Sequence, residues 1–187
     1  MSDPLRIHIE KIIPLTDEEF GIISSFFIPK KYKKHQFLVQ EGEPVVYNYF
    51  VIKGLLKLVY TDETAKEHIV GFAMEDWWET DFQAYYHQTK AAMSLVCVED
   101  TDVLALNLED YRLLCTALPK IERFFLEKAY MGFISAQQRI VSTMTTGIKE
   151  RYEQVIKKYP SLIQRVPKSL IAAYLGVSRE TLSRLSL

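Results

Sequence analysis

Cysteine is nearly absent: Cys97 and Cys115 are the only two in 187 residues. Two thiols make no disulfide framework and hold no iron–sulfur cluster unaided. Histidine is also scarce. His8, His35, His68 and His87 stand far apart, with no H-x-H pair and no H-E-x-x-H, so a cupin-like metal enzyme finds no ligand set here. There is no glycine-rich phosphate loop and no G-x-S-x-G elbow, and the chain reads as a non-enzyme without a metal. No apolar run approaches the roughly 20 residues of a membrane span. The first residues, MSDPLRIHIEK, lack the apolar centre of a secretory signal. The expectation is a cytoplasmic globular protein of one to two domains with no membrane partner.

A strong overall charge is missing as well: the net value is −1. The distribution is uneven. Residues 146–187 carry eight Lys/Arg against three Glu, whereas the rest carry fifteen Lys/Arg against twenty-one Asp/Glu. An acidic body with a basic end is the pattern of a nucleic-acid-binding module placed at one terminus.

That basic end closes on VPKSLIAAYLGVSRETLSRLSL, residues 166–187. Pro167 suits the start of a helix. Ile171 and Leu175, four apart, share one helical face, and the small Ala172 permits a close crossing. Gly176 fits a tight turn, and Ser178 is a good N-cap for a second helix with Leu182 and Leu185 on its inner side. This is helix-turn-helix spacing. It leaves Arg179, Glu180, Thr181, Ser183 and Arg184 on the outer faces. Arginine bonds the O6 and N7 of guanine together, and glutamate accepts from the cytosine amino group.

The rest of the chain gives the motif its context. Thr16-Asp17-Glu18-Glu19 is a capping-box start, so a helix is expected over about 16–27, with Pro29 ending it. The lysines at 30, 31, 33 and 34 are expected in a solvated turn. From Tyr32 to about Leu108 short apolar runs alternate with turn signals, the mark of an all-β roll. Strands are expected at Phe37–Val39, Tyr47–Ile52, Leu55–Tyr60, about 66–73, Met93–Val98 and Val103–Leu106. Glu109–Leu114 starts a short helix. Lys120 to about Thr143 is then a long helix, whose Phe125, Ala129, Gly132, Ala136 and Ile140 recur at steps of three and four. At about 24 residues it is roughly 36 Å long, more than a small roll can cover, so part of it needs a partner. A further helix follows over 144–160, and Ser161–Arg165 leaves room for a minimal wing only.

Two stretches carry a family resemblance. S-R-E-T-L-S-R closely resembles the recognition helix of the Crp/Fnr transcription regulators, and Q-E-G-E-P…Y-F-V-I-K-G-L-L-K-L is similar to the first half of their cyclic-nucleotide-binding jelly roll. The resemblance covers essentially the whole chain. It implies an α+β protein: a double-stranded β-helix (jelly-roll) sensor over 1–115, a dimerisation helix over 116–143, and a winged-helix-like helix-turn-helix over 144–187. It implies double-stranded DNA, a second copy of the chain and RNA polymerase as partners. Arg179, Glu180 and Arg184 would read bases. Lys168 and Ser169 would bond phosphate; Thr181 and Ser183 fit either role and are placed with the phosphate contacts. The family commonly has further basic residues beyond the point where this sequence ends at Leu187.

In the family the ligand cassette reads F-G-E and, nine or ten residues on, R-S or R-T. Here Glu75-Asp76-Trp77-Trp78-Glu79-Thr80-Asp81-Phe82 lacks the glycine, and the Arg-Ser position falls at Lys90-Ala91-Ala92. A lysine lacks arginine's fork, and four carboxylates repel a phosphate. Cyclic AMP is therefore not the expected ligand, and no cofactor is expected. Trp77, Trp78, Glu79, Thr80, Phe82, Lys90, Ala91 and Ala92 mark an effector pocket of unknown ligand, apolar or suited to a cation over rings; the competing reading is a cavity filled by its own aromatics. The alternative for the whole protein is a ligand-sensing roll that regulates a protein partner, its helix-turn-helix idle.

Overall fold

The computed structural model describes residues 3–184. Its first element is α1 (Pro4–Glu10), with proline in its first turn and Asp3 accepting the Leu5 and Arg6 amides. In α2 (Asp17–Ser25) Thr16 and Glu19 close the expected capping box. Eight strands follow: β1 (Ile28–Tyr32), β2 (Phe37–Val39), β3 (Tyr47–Lys53), β4 (Leu56–Thr61), β5 (Glu67–Ala73), β6 (Trp78–Glu79), β7 (Ser94–Cys97) and β8 (Thr101–Asn107), with α3 (Phe82–His87) between β6 and β7. They form two four-stranded antiparallel sheets, ordered β1-β8-β3-β6 and β2-β7-β4-β5. The sheets face each other as a roll, filled by Val51, Leu56, Leu58, Leu95, Val103 and Ala105. Gly54, at φ +110°, turns β3 into β4 against Thr101, where a Cβ would overlap the Asp100 carbonyl.

Half of the lysine run is strand: Lys30 and Lys31 lie in β1, whereas Lys33 and Lys34 fall in the turn that was expected. Ile28–Tyr32 pairs antiparallel with Thr101–Ala105 at the sheet edge, the place a strand tolerates proline. Lys31 and Lys33 pair with Asp102 and Asp100, at 3.5 and 2.8 Å. The lysines hid this strand: Lys31 faces solvent and Lys30 lies over the Tyr47 ring at 4.1 Å, so neither face reads as apolar.

Helices cover both outer faces. On the first sheet, α1, α2, α4 (Leu108–Ala117) and the start of α5 (Ile121–Thr145) bury Leu5, Ile9, Ile23, Phe50, Leu106, Leu114 and Phe124 together. Beyond Phe125 one side of α5 is tied back to the roll and α8 by Arg139, and the rest is bare: Leu126, Tyr130, Met131, Phe133, Ile134, Ile140, Val141 and Met144 are exposed. On the second sheet sit α6 (Ile148–Lys158), α7 (Pro160–Arg165), α8 (Lys168–Leu175) and α9 (Arg179–Arg184). Residues 161–165, where a minimal wing was expected, belong to helix α7; Pro160 opens it and Leu162 anchors it in the core. No helix among the described residues is long and apolar enough to cross a membrane.

Candidate nucleic-acid interface and effector stretch

The two closing helices are built as their residues dictate. Gly176 ends α8 at φ +74°, with its amide donating to Ala173 O (3.2 Å) and the Val177 amide to Ala172 O (2.9 Å). That pair of bonds is a Schellman closure, which needs a left-handed residue. Ser178 Oγ then accepts the Thr181 amide at 3.1 Å and caps α9. Ile171, Ala172, Leu175 and Leu182 are buried between the helices. Leu185, expected beside Leu182, lies outside the described residues.

Arg179, Glu180, Ser183 and Arg184 are exposed on α9, and Lys168 and Ser169 are exposed at the start of α8. Thr181 is half-buried and turned towards the cap, 3.1 Å from Ser178 Oγ. Glu180 is held below the usual carboxylate range by its own backbone amide and by Ser178, with Arg179 adding to the effect. It is an acceptor at neutral pH.

This helical end is fastened to the roll. Leu162, Val166, Ile171, Ala172, Leu175 and Leu182 share one cluster with Leu55, Ile69, Phe72 and Val98 of the roll. Around it lies a polar clasp. Arg165 bonds Glu75 twice, at 2.7 and 3.1 Å, and Glu99 twice, at 3.1 and 2.7 Å. Both carboxylates raise the Arg165 pKa. Burial alone would raise Glu75, but Arg165 and the Gly54 amide together keep it low. Arg139 of α5 reaches the carbonyls of Ile69, Val70 and Tyr174 and lies over the Tyr174 ring. Trp77 meets Tyr159 edge-on at 5.3 Å.

The residues expected to line an effector pocket are divided among three places. Trp78 turns away from the roll interior and joins Phe27, Phe50, Phe124 and Phe125 under the N-terminal helices. Trp77 packs against the edge of the inner core and on Tyr159. Phe82, Lys90 and Ala92 are exposed. Only Glu79, Thr80 and Ala91 remain turned inward. Thr80 donates to Tyr47 O at 2.9 Å. Glu79 stands opposite Tyr49, and a Cβ on Gly71 would lie 3.4 Å from its Oε2, so it reaches between the sheets. Burial pushes its carboxyl up to about 8, against the pull of the Thr80 amide.

Sequence reasoning missed Asp81 as a member of this group. Its carboxylate accepts from the amides of Ala84 (3.1 Å), Ala92 (2.9 Å) and Met93 (3.2 Å). The first bond was legible, as Asp before a helix is a cap signal. The other two come from residues eleven and twelve places on, and no spacing rule announces them. Arg165 and Arg139 gave no signal either, since both act across the domain contact. Among the described residues no group of three or more His, Cys, Asp or Glu is placed to hold a metal ion.

Residues 29–117 match the family model described as the cyclic nucleotide-binding domain. The catabolite activator protein of Thermus thermophilus superposes with a TM-score of 0.59 at 23% identity, covering 91% of this chain and 82% of that one. The c-di-GMP-responsive global regulator CLP of Xanthomonas campestris gives 0.72 at 14% identity, with 91% and 89% covered. A protein assigned to the Crp/Fnr family from Eubacterium rectale gives 0.71 at 16%, with 91% and 82% covered. The fold is that of the Crp/Fnr regulators. In this Crp/Fnr fold the matched domain runs from β1 to the end of α4, and the likeness to CLP and the others continues through the helices beyond it. No curated protein sequence matches the chain.

Proposed function

We propose that this protein is a homodimeric, sequence-specific DNA-binding transcription regulator of the Crp/Fnr type whose sensor does not answer to cyclic AMP. The observation that carries this reading is the outer face of α9. Arg179, Glu180, Ser183 and Arg184 stand exposed on a capped helix whose inner residue, Leu182, is buried. That face is not spent on the roll. Arg179, Glu180 and Arg184 then read base edges, and Lys168 and Ser169 set register on phosphate, joined by Ser183 and Thr181.

Residues 1–115 serve as sensor, 116–143 as dimer helix and 144–187 as reader. The apolar face of α5 supports the pairing: at 25 residues it is about 38 Å long, and only Ile121 and Phe124 are buried in the single chain. A second copy covers the remainder and brings two α9 helices to half-sites about one turn of DNA apart, roughly 34–36 Å. RNA polymerase is the further partner of such a regulator, and the cytoplasm its place.

Selection of bound duplexes from a random pool tests the reading. It is expected to return an inverted repeat with half-site centres about 10 base pairs apart. A pool that stays unenriched in sequence contradicts it and favours the roll as regulator of a protein partner.

A further inference from the structure

From Ala129 to Val141 every residue of α5 is exposed except Arg139, which is half-buried. Its guanidinium donates to three backbone carbonyls that converge from two parts of the fold: Ile69 O, at 3.1 Å, and Val70 O on β5, and Tyr174 O, at 3.2 Å, in the last turn of α8. Each carbonyl is available for a local reason. β5 is the edge of its sheet, and its register on β4 slips: Leu58 meets Gly71 and Val59 meets Ile69, so Val70 bulges out unopposed. The closure at Gly176 takes the carbonyls of Ala172 and Ala173 and leaves that of Tyr174 to Arg139. A cation at that end of a helix is favoured. The Tyr174 ring lies under the guanidinium at 4.2 Å and meets Phe72 of β5 at 5.5 Å.

We propose that Arg139 is a positioning residue for operator binding: from α5 it fixes the end of α8 from which α9 departs, and so sets where α9 stands relative to a second copy of the chain. It lies outside the recognition face and acts through α8. The inference rests on the reading of a dimer that reads DNA through α9. α8 and α9 share the buried Ile171, Ala172, Leu175 and Leu182, so α9 follows α8. Arg139 sits on the same helix as the exposed Ile134, Ile140 and Val141, which a second copy covers in that reading. A planar fork that meets carbonyls of both β5 and α8 fixes an angle as well as a distance, which a point charge does not.

The test compares the full chain with Arg139→Ala and Arg139→Lys. The duplexes carry the parent's selected half-sites at the selected spacing and at spacings about two base pairs longer or shorter. Fluorescence anisotropy at fixed salt reads the affinities, at concentrations where each protein is a folded dimer. The parent is expected to prefer the selected spacing. In Arg139→Ala that preference should fall roughly tenfold, because the best duplex is bound more weakly while the others change little. Arg139→Lys should regain only part of it. If Arg139→Ala does not fold, Arg139→Gln, which keeps amide donors without the charge, is compared in the same way. An arginine with a merely structural role lowers the affinity for every spacing alike; that result, or a spacing preference equal to the parent's, overturns the assignment to Arg139 alone. A parent that selects no half-site overturns the DNA reading, and the proposal with it.

Discussion

Arg165 holds Glu75 by both arms of its guanidinium, at 2.7 and 3.1 Å. Glu75 also accepts the Gly54 amide at 2.8 Å, and Arg165 reaches on to Glu99. One side chain of α7 thus ties together, through Glu75 and Glu99, the turns β3–β4, β5–β6 and β7–β8 of the roll. The β5–β6 turn runs directly into Trp77 and the inward-facing Glu79. The roll interior and the closing helices are joined here by contiguous hydrogen bonds.

Loss of the clasp is expected to loosen helices α7–α9 from the roll. Arg165→Ala leaves two carboxylates facing each other and should destabilise the fold by about 2 kcal/mol, the bonds being partly solvated. The Trp77 emission should shift to the red as Tyr159 withdraws. Arg165→Lys restores only part of the loss, because an ammonium cannot fork. A parent-like melt and spectrum in Arg165→Ala would show the clasp to be idle.

Acid should weaken the protein through His8. Its ring is buried on Phe50 and Phe124, its Nε2 accepts from Trp78 Nε1 at 3.3 Å, and its Nδ1 has no bond. Burial first, then Lys128 and Lys11 against the opposing Asp76, lower its pKa from 6.5 to about 4. The folded state resists the proton. This contribution is therefore whole above pH 6.5 and is lost as the pH falls towards 4, to a limit on the order of 3 kcal/mol. Urea unfolding at pH 7 and pH 4.5 reads it: His8→Phe should lose less stability between the two than the parent. Equal losses would assign the acid sensitivity elsewhere.

Much of this fold is legible in the chain because its cues are local. The capping box at Thr16, the turn glycine Gly54, the Gly176–Ser178 punctuation and the unbroken α5 all follow from neighbouring residues, and the structure places elements there within a few positions. What escaped is non-local. The lysine strand β1 is a strand only because β8 arrives beside it. Trp77 and Trp78 are adjacent in sequence, yet they serve different cores: Trp77 ends the turn before β6 and packs at the edge of the inner core, whereas Trp78, the first residue of β6, stands opposite Phe50 in the outer one. Of the two readings open for this stretch, packing holds for Trp77 and Trp78, which join two separate cores, while Phe82 and Tyr86 stay exposed.

The β3–β4 corner should tolerate no side chain. Gly54→Ala forces a methyl group onto Asp100 and Thr101 at a φ of +110°. A loss of more than about 2 kcal/mol is expected by urea unfolding. Gly21→Ala, where a Cβ meets nothing, is the control and should be neutral or slightly stabilising. Equal behaviour of the two would contradict the corner's geometry.

Pairing of two chains should depend on the free face of α5. Ile134 and Val141 are seven residues apart and both exposed, as a seam between two helices requires. Ile134→Glu with Val141→Glu should convert a dimer into single chains by sedimentation equilibrium, while the melt of the roll is kept. A parent that sediments as a single chain at micromolar concentration would remove the dimer from the account.

The most direct test of the whole account is the affinity of Arg179→Ala, Arg184→Ala for the parent's best selected duplex, measured at fixed salt beside a scrambled duplex. Each arginine that reads a base is expected to contribute about 1–3 kcal/mol, so specific binding should fall roughly a hundredfold or more while binding to the scrambled duplex changes far less. A double variant that still prefers the selected duplex as strongly as the parent would contradict base reading by α9.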